Sequence, residues 1–474
     1  MFSYCSYSII GGGNLEEKIS EGRVKIYPSD WRWSAAVVGL DKYFVYLKDT
    51  RYLDVDYIKE DEYIEFNESD ITVENYLLFA ENYFMEYMHH KRVENLIQEP
   101  DPSEEVIKLA NDKLSKNTSS NTIMIKTFKK VKYDGQNANI IQDMIDKNRL
   151  ELIKQTFKGG RALYYNFCNE NALLSDKGNS CRIRGYSVDM GKKSKSVSYR
   201  RDKSTFVYQD SKYFDFIPFA FSKTREAFFI NNNFTVDQLI RTNKNDWIND
   251  ENAMKSQLLF KTRNSAKFID YDVEIIKKDR EKDYFETIYV REKAIKIFEE
   301  ISEHTVEILA RACNIKRSEN SQNIWINVEH IVTNSILNHL KLDDFIESLF
   351  KAYNDHRYLI SHLIGINQLI YEGGDKMTEK QNQALGAAMA VKQVLRGKEN
   401  KLRAYEQRLI SAITLKDYDR VQEILLHLSA FTQVRMDFLM DVFKDFEANK
   451  NLVYTFINVL GEKKRVENKG DGQS

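Results

Sequence analysis

Hydrophobic positions change their spacing part-way along the 474-residue chain. In the N-terminal half, short alternating runs interrupt helical ones. Residues 23–27 read as a strand. Pro28-Ser29-Asp30 then turns into a helix that carries Trp31, Ala35, Val38 and Gly39 onward to Tyr43 and Tyr46. Within 74–98, Tyr76, Leu77, Ala80, Phe84, Tyr87 and Met88 keep one helical spacing. Residues 122–128 (TIMIKTF) alternate as a strand, residues 139–157 read as an amphipathic helix, and 205–209 predict another strand. Ile269, Tyr271, Val273 and Ile275 alternate with Phe268, Asp270, Asp272 and Glu274, which predicts a half-buried strand paired with 284–290. From residue 291 the pattern is almost wholly helical. One helix spans Ile295 to Cys313, Asp417 caps another, and Gly461 stops the last.

The densest apolar stretch is 213–241, YFDFIPFAFSKTREAFFINNNFTVDQLIR. Its two aromatic runs, 214–221 and 227–230, predict strands around a polar turn. Asn231, Asn232 and Asn233 then form an exposed amide loop, and Thr235 with Gln238 has capping-box spacing for a short helix. Three amides on a buried platform offer donors and acceptors to a polar edge such as a base.

The fold class that follows is α+β. Residues 1–290 form a mixed region of short strands and helices. Residues 291–374 are a helical connection, 375–461 a helical bundle, and 462–474 a polar tail read as disordered. Only four prolines occur, and Pro218 alone lies beyond Pro102, so long C-terminal helices are permitted.

Charge sharpens this division. The formal net charge is -1, yet residues 41–105 hold 18 acidic and 6 basic side chains. Residues 113–161 hold 11 basic and 4 acidic, and 182–203 hold 8 basic and 2 acidic. Lys192, Lys193, Lys195, Arg200 and Arg201 come with Gly and Ser, a composition that lets cations follow a phosphate backbone, and Tyr186 and Tyr199 could stack on bases. Lys126, Lys129, Lys130 and Lys132 are a second phosphate-binding set. A solvated loop is the plain alternative.

Enzyme signatures are missing. Gly11-Gly12-Gly13 lacks the GK[ST] of a phosphate loop, and neither GxSxG nor HExxH occurs. Asp270, Asp272 and Glu274 share a strand face, as a metal-dependent nuclease needs, but Lys277 has the opposite parity. Cys5, Cys168, Cys181 and Cys313 form no CxxC pair. Cys168 and Cys181 could supply half of a zinc site, and two buried thiols explain them as well. No cofactor and no metal is expected. Scattered thiols, no signal peptide and no apolar run of membrane length predict a soluble, cytoplasmic protein.

The motif FDFIPFAFS…FFINNNF at 214–234 resembles the large subunit of type I CRISPR Cascade surveillance complexes, most closely the type I-B CXXC-CXXC subfamily. The opening DWRWSAAVVGL at 30–40 is similar to that family's first helix, and Cys168 and Cys181 fall where it places paired cysteines. Asn171 and Arg184 stand where second cysteines would sit, so zinc does not carry over. The resemblance implies a non-enzymatic subunit in antiviral defence that recognises a protospacer-adjacent motif in double-stranded DNA, opens it and stabilises the R-loop. Implied partners are crRNA-containing Cascade backbone subunits, target DNA with its displaced strand, the small subunit and the helicase-nuclease. Asn231, Asn232 and Asn233 would read the motif from the minor groove. The lysines and arginines named above would hold phosphates, and the bundle, which resembles the small subunit, would line the displaced strand. A metal nuclease using Asp270, Asp272 and Glu274, or a plain helical scaffold, are the alternatives.

Overall fold

The computed structural model describes residues 15–20, 22–115, 122–129, 131–160, 163–175, 181–184, 211–244, 257–311, 314–319, 322–351, 356–372 and 379–462. The chain divides into two compact units, one of residues 1–246 with 272–289, the other of residues 247–271 with 290–474.

In the first unit, β1 (Glu16–Ser20) and β2 (Arg23–Ile26) precede α1 (Trp31–Asp49). The strands β3 (Tyr57–Lys59) and β4 (Ile64–Asn67) complete a four-stranded antiparallel sheet in the order β1-β2-β4-β3. Next come α2 (Val73–Tyr83), α3 (His89–Ile97), α4 (Glu104–Ser115), α5 (Thr122–Phe128), α6 (Ala138–Gly159) and α7 (Tyr164–Phe167). β5 (Cys168–Glu170) pairs with β6 (Arg182–Ile183). β7 (Glu226–Asn231) joins β8 (Val273–Asp279) and β9 (Glu286–Val290) in a three-stranded sheet, and α8 (Val236–Thr242) follows β7.

The core of this unit is the 3-10 segment Lys212–Phe219 packed against α1. Phe214 lies 4.8 Å from Trp33 and Phe219 lies 4.5 Å from Phe79, ring to ring. Gly39 makes this packing possible, because a Cβ there would stand 2.0 Å from the carbonyl oxygen of Phe216. Asp30 caps α1 through a 2.8 Å bond from the Arg32 amide.

Three sequence expectations are corrected here. The first aromatic run is not a strand: Pro218 cannot donate to a ladder, and Tyr213, Phe214, Phe216, Ile217 and Phe219 are all buried, which an alternating strand would not do. Residues 122–128 are the helix α5, since Met124 and Phe128, four apart, both enter the small core of α3 to α6. The predicted helix over 74–98 breaks at Phe84, and the bend lets His90 Nε2 meet Glu81 at 2.7 Å. Burial alone would raise the pKa of Glu94, but hydrogen bonds from Lys91, Gln142 and Arg149 outweigh it and hold the carboxylate at about 2. Arg149 thus ties α2 and α3 to α6 through Glu81 and Glu94.

The second unit holds α9 (Gln257–Ala266), α10 (Glu292–Glu300), α11 (Glu303–Arg311), the hairpin β10 (Asn314–Glu319) and β11 (Gln322–Asn327), then α12 (Val328–Leu337), α13 (Asp343–Lys351) and α14 (Arg357–Glu372). It ends in α15 (Glu379–Val394), α16 (Glu399–Thr414), α17 (Tyr418–Thr432), α18 (Leu439–Lys444) and α19 (Lys450–Gly461). The single helix expected from Ile295 to Cys313 is two, because Ser302 starts α11 by accepting from the Thr305 amide at 3.2 Å. The β10–β11 hairpin also departs from the helical reading. Asp417 caps α17 as expected, accepting from the Arg420 amide at 3.1 Å. Buried amides join α14 to α19: Asn367 Nδ2 donates to Asn451 Oδ1 at 2.8 Å, and Asn451 Nδ2 to Gln368 Oε1 at 2.9 Å. This is an α+β chain with its small sheets concentrated toward the N-terminus and a helical C-terminal region.

Candidate nucleic-acid interface

The amide loop after β7 is mostly internal, which corrects the exposed triple-asparagine reading. Asn231 is 8% exposed and Asn232 is fully buried. Asn231 Nδ2 donates to the Glu274 carboxylate at 3.3 Å, and Asn232 Nδ2 to Thr242 Oγ1 at 2.8 Å. The cause is α8, which folds back beneath the loop. Its C-cap Asn243 accepts from the Ile230 amide at 3.0 Å and donates to the Ile230 carbonyl at 2.8 Å, closing the end of β7. Thr235 caps α8 as expected, accepting from the Gln238 amide at 3.1 Å, but the return bond of a capping box is missing, since the buried Gln238 Oε1 has no partner. Only Asn233 faces solvent, donating from Nδ2 to the Ser29 carbonyl at 2.6 Å, and its neighbour Phe234 is 66% exposed. The loop thus presents one amide and one aromatic ring.

The phosphate-binding residues expected on the basic stretch, Lys192, Lys193, Lys195, Arg200 and Arg201, lie outside the described residues, as does Lys130. The stem of that stretch is described. The Arg184 amide donates to the Phe167 carbonyl at 2.8 Å, and the Cys181 amide to the Ser211 carbonyl at 3.1 Å. Lys126 on α5, Lys129 just after it, and Lys132 are exposed. Lys129 has a left-handed φ of 53°, which ends α5 and turns the chain toward Lys132.

Cys168 and Cys181 are buried free thiols beside Asp215. The Tyr164 hydroxyl lies 2.6 Å from Asp215 Oδ1 and 3.1 Å from the Cys181 sulfur. Burial pushes the Asp215 carboxyl up to about 7 and the Cys181 thiol well above its ordinary range. A protonated thiol in such surroundings is a core group and a poor metal ligand. Among the described residues no group of three His, Cys, Asp or Glu side chains is placed to hold a metal. Glu274, one of the three carboxylates of the nuclease alternative, is bonded to Asn231.

The second unit carries a surface that the sequence reading did not single out. α16 and α17 pack side by side, and their exposed seam combines aromatic rings with cations. Tyr405 OH meets His427 Nδ1 at 3.0 Å, and the Tyr405 and Phe431 ring centres are 6.2 Å apart. The Lys401 ammonium sits 4.9 Å from the Phe431 ring centre, and Phe431 is 43% exposed. Between Arg396 and Arg408 the chain has five basic residues, Arg396, Lys398, Lys401, Arg403 and Arg408, and all five are exposed. None forms an ion pair with a described residue, in contrast to Arg357, whose guanidinium is spent on Glu406. Unpaired cations beside exposed rings are what a nucleic-acid strand requires of a protein surface. The signal in the sequence was Lys401, Tyr405 and Arg408 at helical spacing, with His427 and Phe431 four apart.

The family model of CRISPR-associated protein Csx8 matches residues 23–257 and 240–460. The chain belongs to the CRISPR-associated protein Csx8 family. No curated protein and no solved structure matches it. Both the aromatic core with its amide loop and the α16–α17 surface therefore lie within the Csx8 match. Membership makes this a CRISPR-associated protein. It names neither the type I-B subtype nor the CXXC motif of the resemblance drawn from the sequence. Among the described residues no helix is long and apolar enough to cross a membrane.

Proposed function

We propose that this chain is a non-catalytic, nucleic-acid-binding large subunit of a type I Cascade effector in the cytoplasm. The carrying observation is the α16–α17 seam in a CRISPR-associated chain: Lys401 and Arg408 share the Tyr405 face of α16, beside His427 and Phe431 of α17, and neither cation forms an ion pair with a described residue. Such a face suits the displaced single strand of an R-loop, where each neutralised phosphate releases counterions and each stacked base adds about 1–3 kcal/mol. In this reading the chain joins crRNA-containing backbone subunits and the small subunit. It reads a short flanking motif in duplex DNA through Asn233 beside Phe234, and docks the helicase-nuclease that performs the cleavage. The lysines Lys126, Lys129 and Lys132, with the basic stretch 182–203, supply duplex phosphate contacts.

The test is fluorescence anisotropy of the full chain with labelled single-stranded and duplex DNA across a salt series. Combined K401E, R403E and R408E substitution should weaken single-strand binding strongly. It should also flatten the slope of log affinity against log salt by about 2. Thermal stability should move by no more than about 1 kcal/mol, since these side chains are exposed and form no ion pair with a described residue, and the Lys401–Phe431 contact is worth about 0.5–1 kcal/mol at an exposed site. Unchanged affinity and slope in the triple variant would remove the proposed interface. Failure of the wild-type chain to bind any nucleic acid, alone or assembled, would remove the function.

A further inference from the structure

The β10–β11 hairpin is a two-stranded sheet of its own. Its register is regular, setting Asn314 opposite Asn327, Lys316 opposite Trp325 and Ser318 opposite Asn323. Strand alternation places these six positions on one face. The other face begins at Ile315, which is 6% exposed, and Ile326, half-buried, so that side seats the ribbon on its unit. A two-stranded ribbon is marginal alone, and this seating is what holds it.

Trp325 lies on the face turned away from that seat and is 66% exposed. The first unit treats Trp31 and Trp33 differently, burying them to 7% and 5% exposure. The positions that share the face of Trp325 include a lysine, three asparagines and a serine, and no carboxylate. An indole surrounded by hydrogen-bonding positions and one cation, without any acidic residue, matches a base and its phosphate better than an apolar protein surface.

We propose that Trp325 is a stacking platform for an unpaired nucleobase, on a ribbon face where the backbone register sets a lysine position opposite it. This rests on the nucleic-acid role proposed above and adds a second strand contact at a place separate in sequence from the α16–α17 seam. The ligand class is single-stranded DNA or RNA, taken without base preference, since every base offers a π face.

The experiment titrates the full chain with an oligothymidylate of about 20 nucleotides while following tryptophan emission and anisotropy together. Subtracting the W325F signal isolates Trp325. The expected results are quenching of Trp325 emission on binding and a loss of about 5- to 100-fold in affinity for W325A, with W325F intermediate. The salt slope of W325A should equal that of the wild type, because stacking releases no counterions. If W325A binds and quenches as the wild type does, the inference is overturned while the nucleic-acid role stands. Loss of a protein partner from W325A with oligonucleotide affinity intact also overturns it, assigning the ribbon to protein docking. If the wild type binds no oligonucleotide, this inference falls together with the proposed function. Circular dichroism of W325A and W325F separates any folding defect from a binding one.

Discussion

The aromatic stretch around Phe214–Phe219 and the α16–α17 seam use similar residue types in opposite ways. In the first, rings, amides and a carboxyl are turned inward, and most of the polar groups bond to one another, Asn231 Oδ1 being an exception. Asn243 closes β7, Asn232 meets Thr242, and Tyr164 meets Asp215. In the second, Tyr405, Phe431 and their neighbouring cations remain at the surface with no carboxylate partner among the described residues. Dense, unusual sequence here marks the core, where packing dictates each residue. Plain-looking helical sequence carries the surface available for a ligand. Substitutions in the first region should therefore change stability, and substitutions in the second should change binding alone.

The largest effect should come from Gly39→Val. Its Cβ would stand 2.0 Å from the Phe216 carbonyl oxygen, an obstacle of backbone that cannot rotate away. Overpacking commonly costs about 1–3 kcal/mol, and this contact should exceed that range, leaving little soluble first unit. Thermal unfolding measures it. A variant that melts with the wild type would mean that α1 and the 3-10 segment are not in contact, and the inward half of the comparison would fail.

A smaller effect concerns Asp215, which is fully buried and titrates at about 7, against 3.8 for a free carboxyl. The folded state therefore holds a proton that the unfolded chain releases. Stability attributable to this group is full below about pH 4 and declines as pH rises toward 7, by a few kcal/mol at most. Asp215→Asn keeps the shape and removes the titration, so its stability should be flatter than the wild type over that interval. Chemical denaturation at pH 5 and pH 7.5 checks this. Equal slopes for the two proteins would show that Asp215 is ionised and solvated.

The sequence made most of the scaffold legible. α1 with its Asp30 cap, α6, α8 with its Thr235 cap and α17 with its Asp417 cap all follow from local signals. Alternation misled at 122–128 because isoleucines at one spacing and Met124 with Phe128 at another predict different elements, and only packing on α6 chooses between them. The strand expected from the alternation that starts at Phe268 begins only at Val273, once the chain has left α9. The burial of Asn231 and Asn232 depends on α8 returning beneath them, a tertiary fact with no local signature. The α16–α17 seam depends on two helices aligning Tyr405 with His427 and Lys401 with Phe431, which neither helix shows by itself.

The smallest effects should divide one triplet of asparagines between the two behaviours. Asn232→Ala removes a buried 2.8 Å bond and leaves Thr242 Oγ1 without it, so stability should fall by about 1–3 kcal/mol. Asn233→Ala removes a bond at an exposed loop and should stay within about 0.5 kcal/mol of the wild type. Under the proposed function only Asn233→Ala should weaken discrimination between duplexes that carry and lack the flanking motif, by about 1–3 kcal/mol, or roughly 5- to 150-fold. Paired melts and competition binding on the two variants measure both quantities. If Asn232→Ala left stability intact and abolished discrimination, the loop would have to open on DNA. The amides counted here as structure would then belong to the reading surface, and the contrast between inward and outward chemistry would fail at its sharpest point.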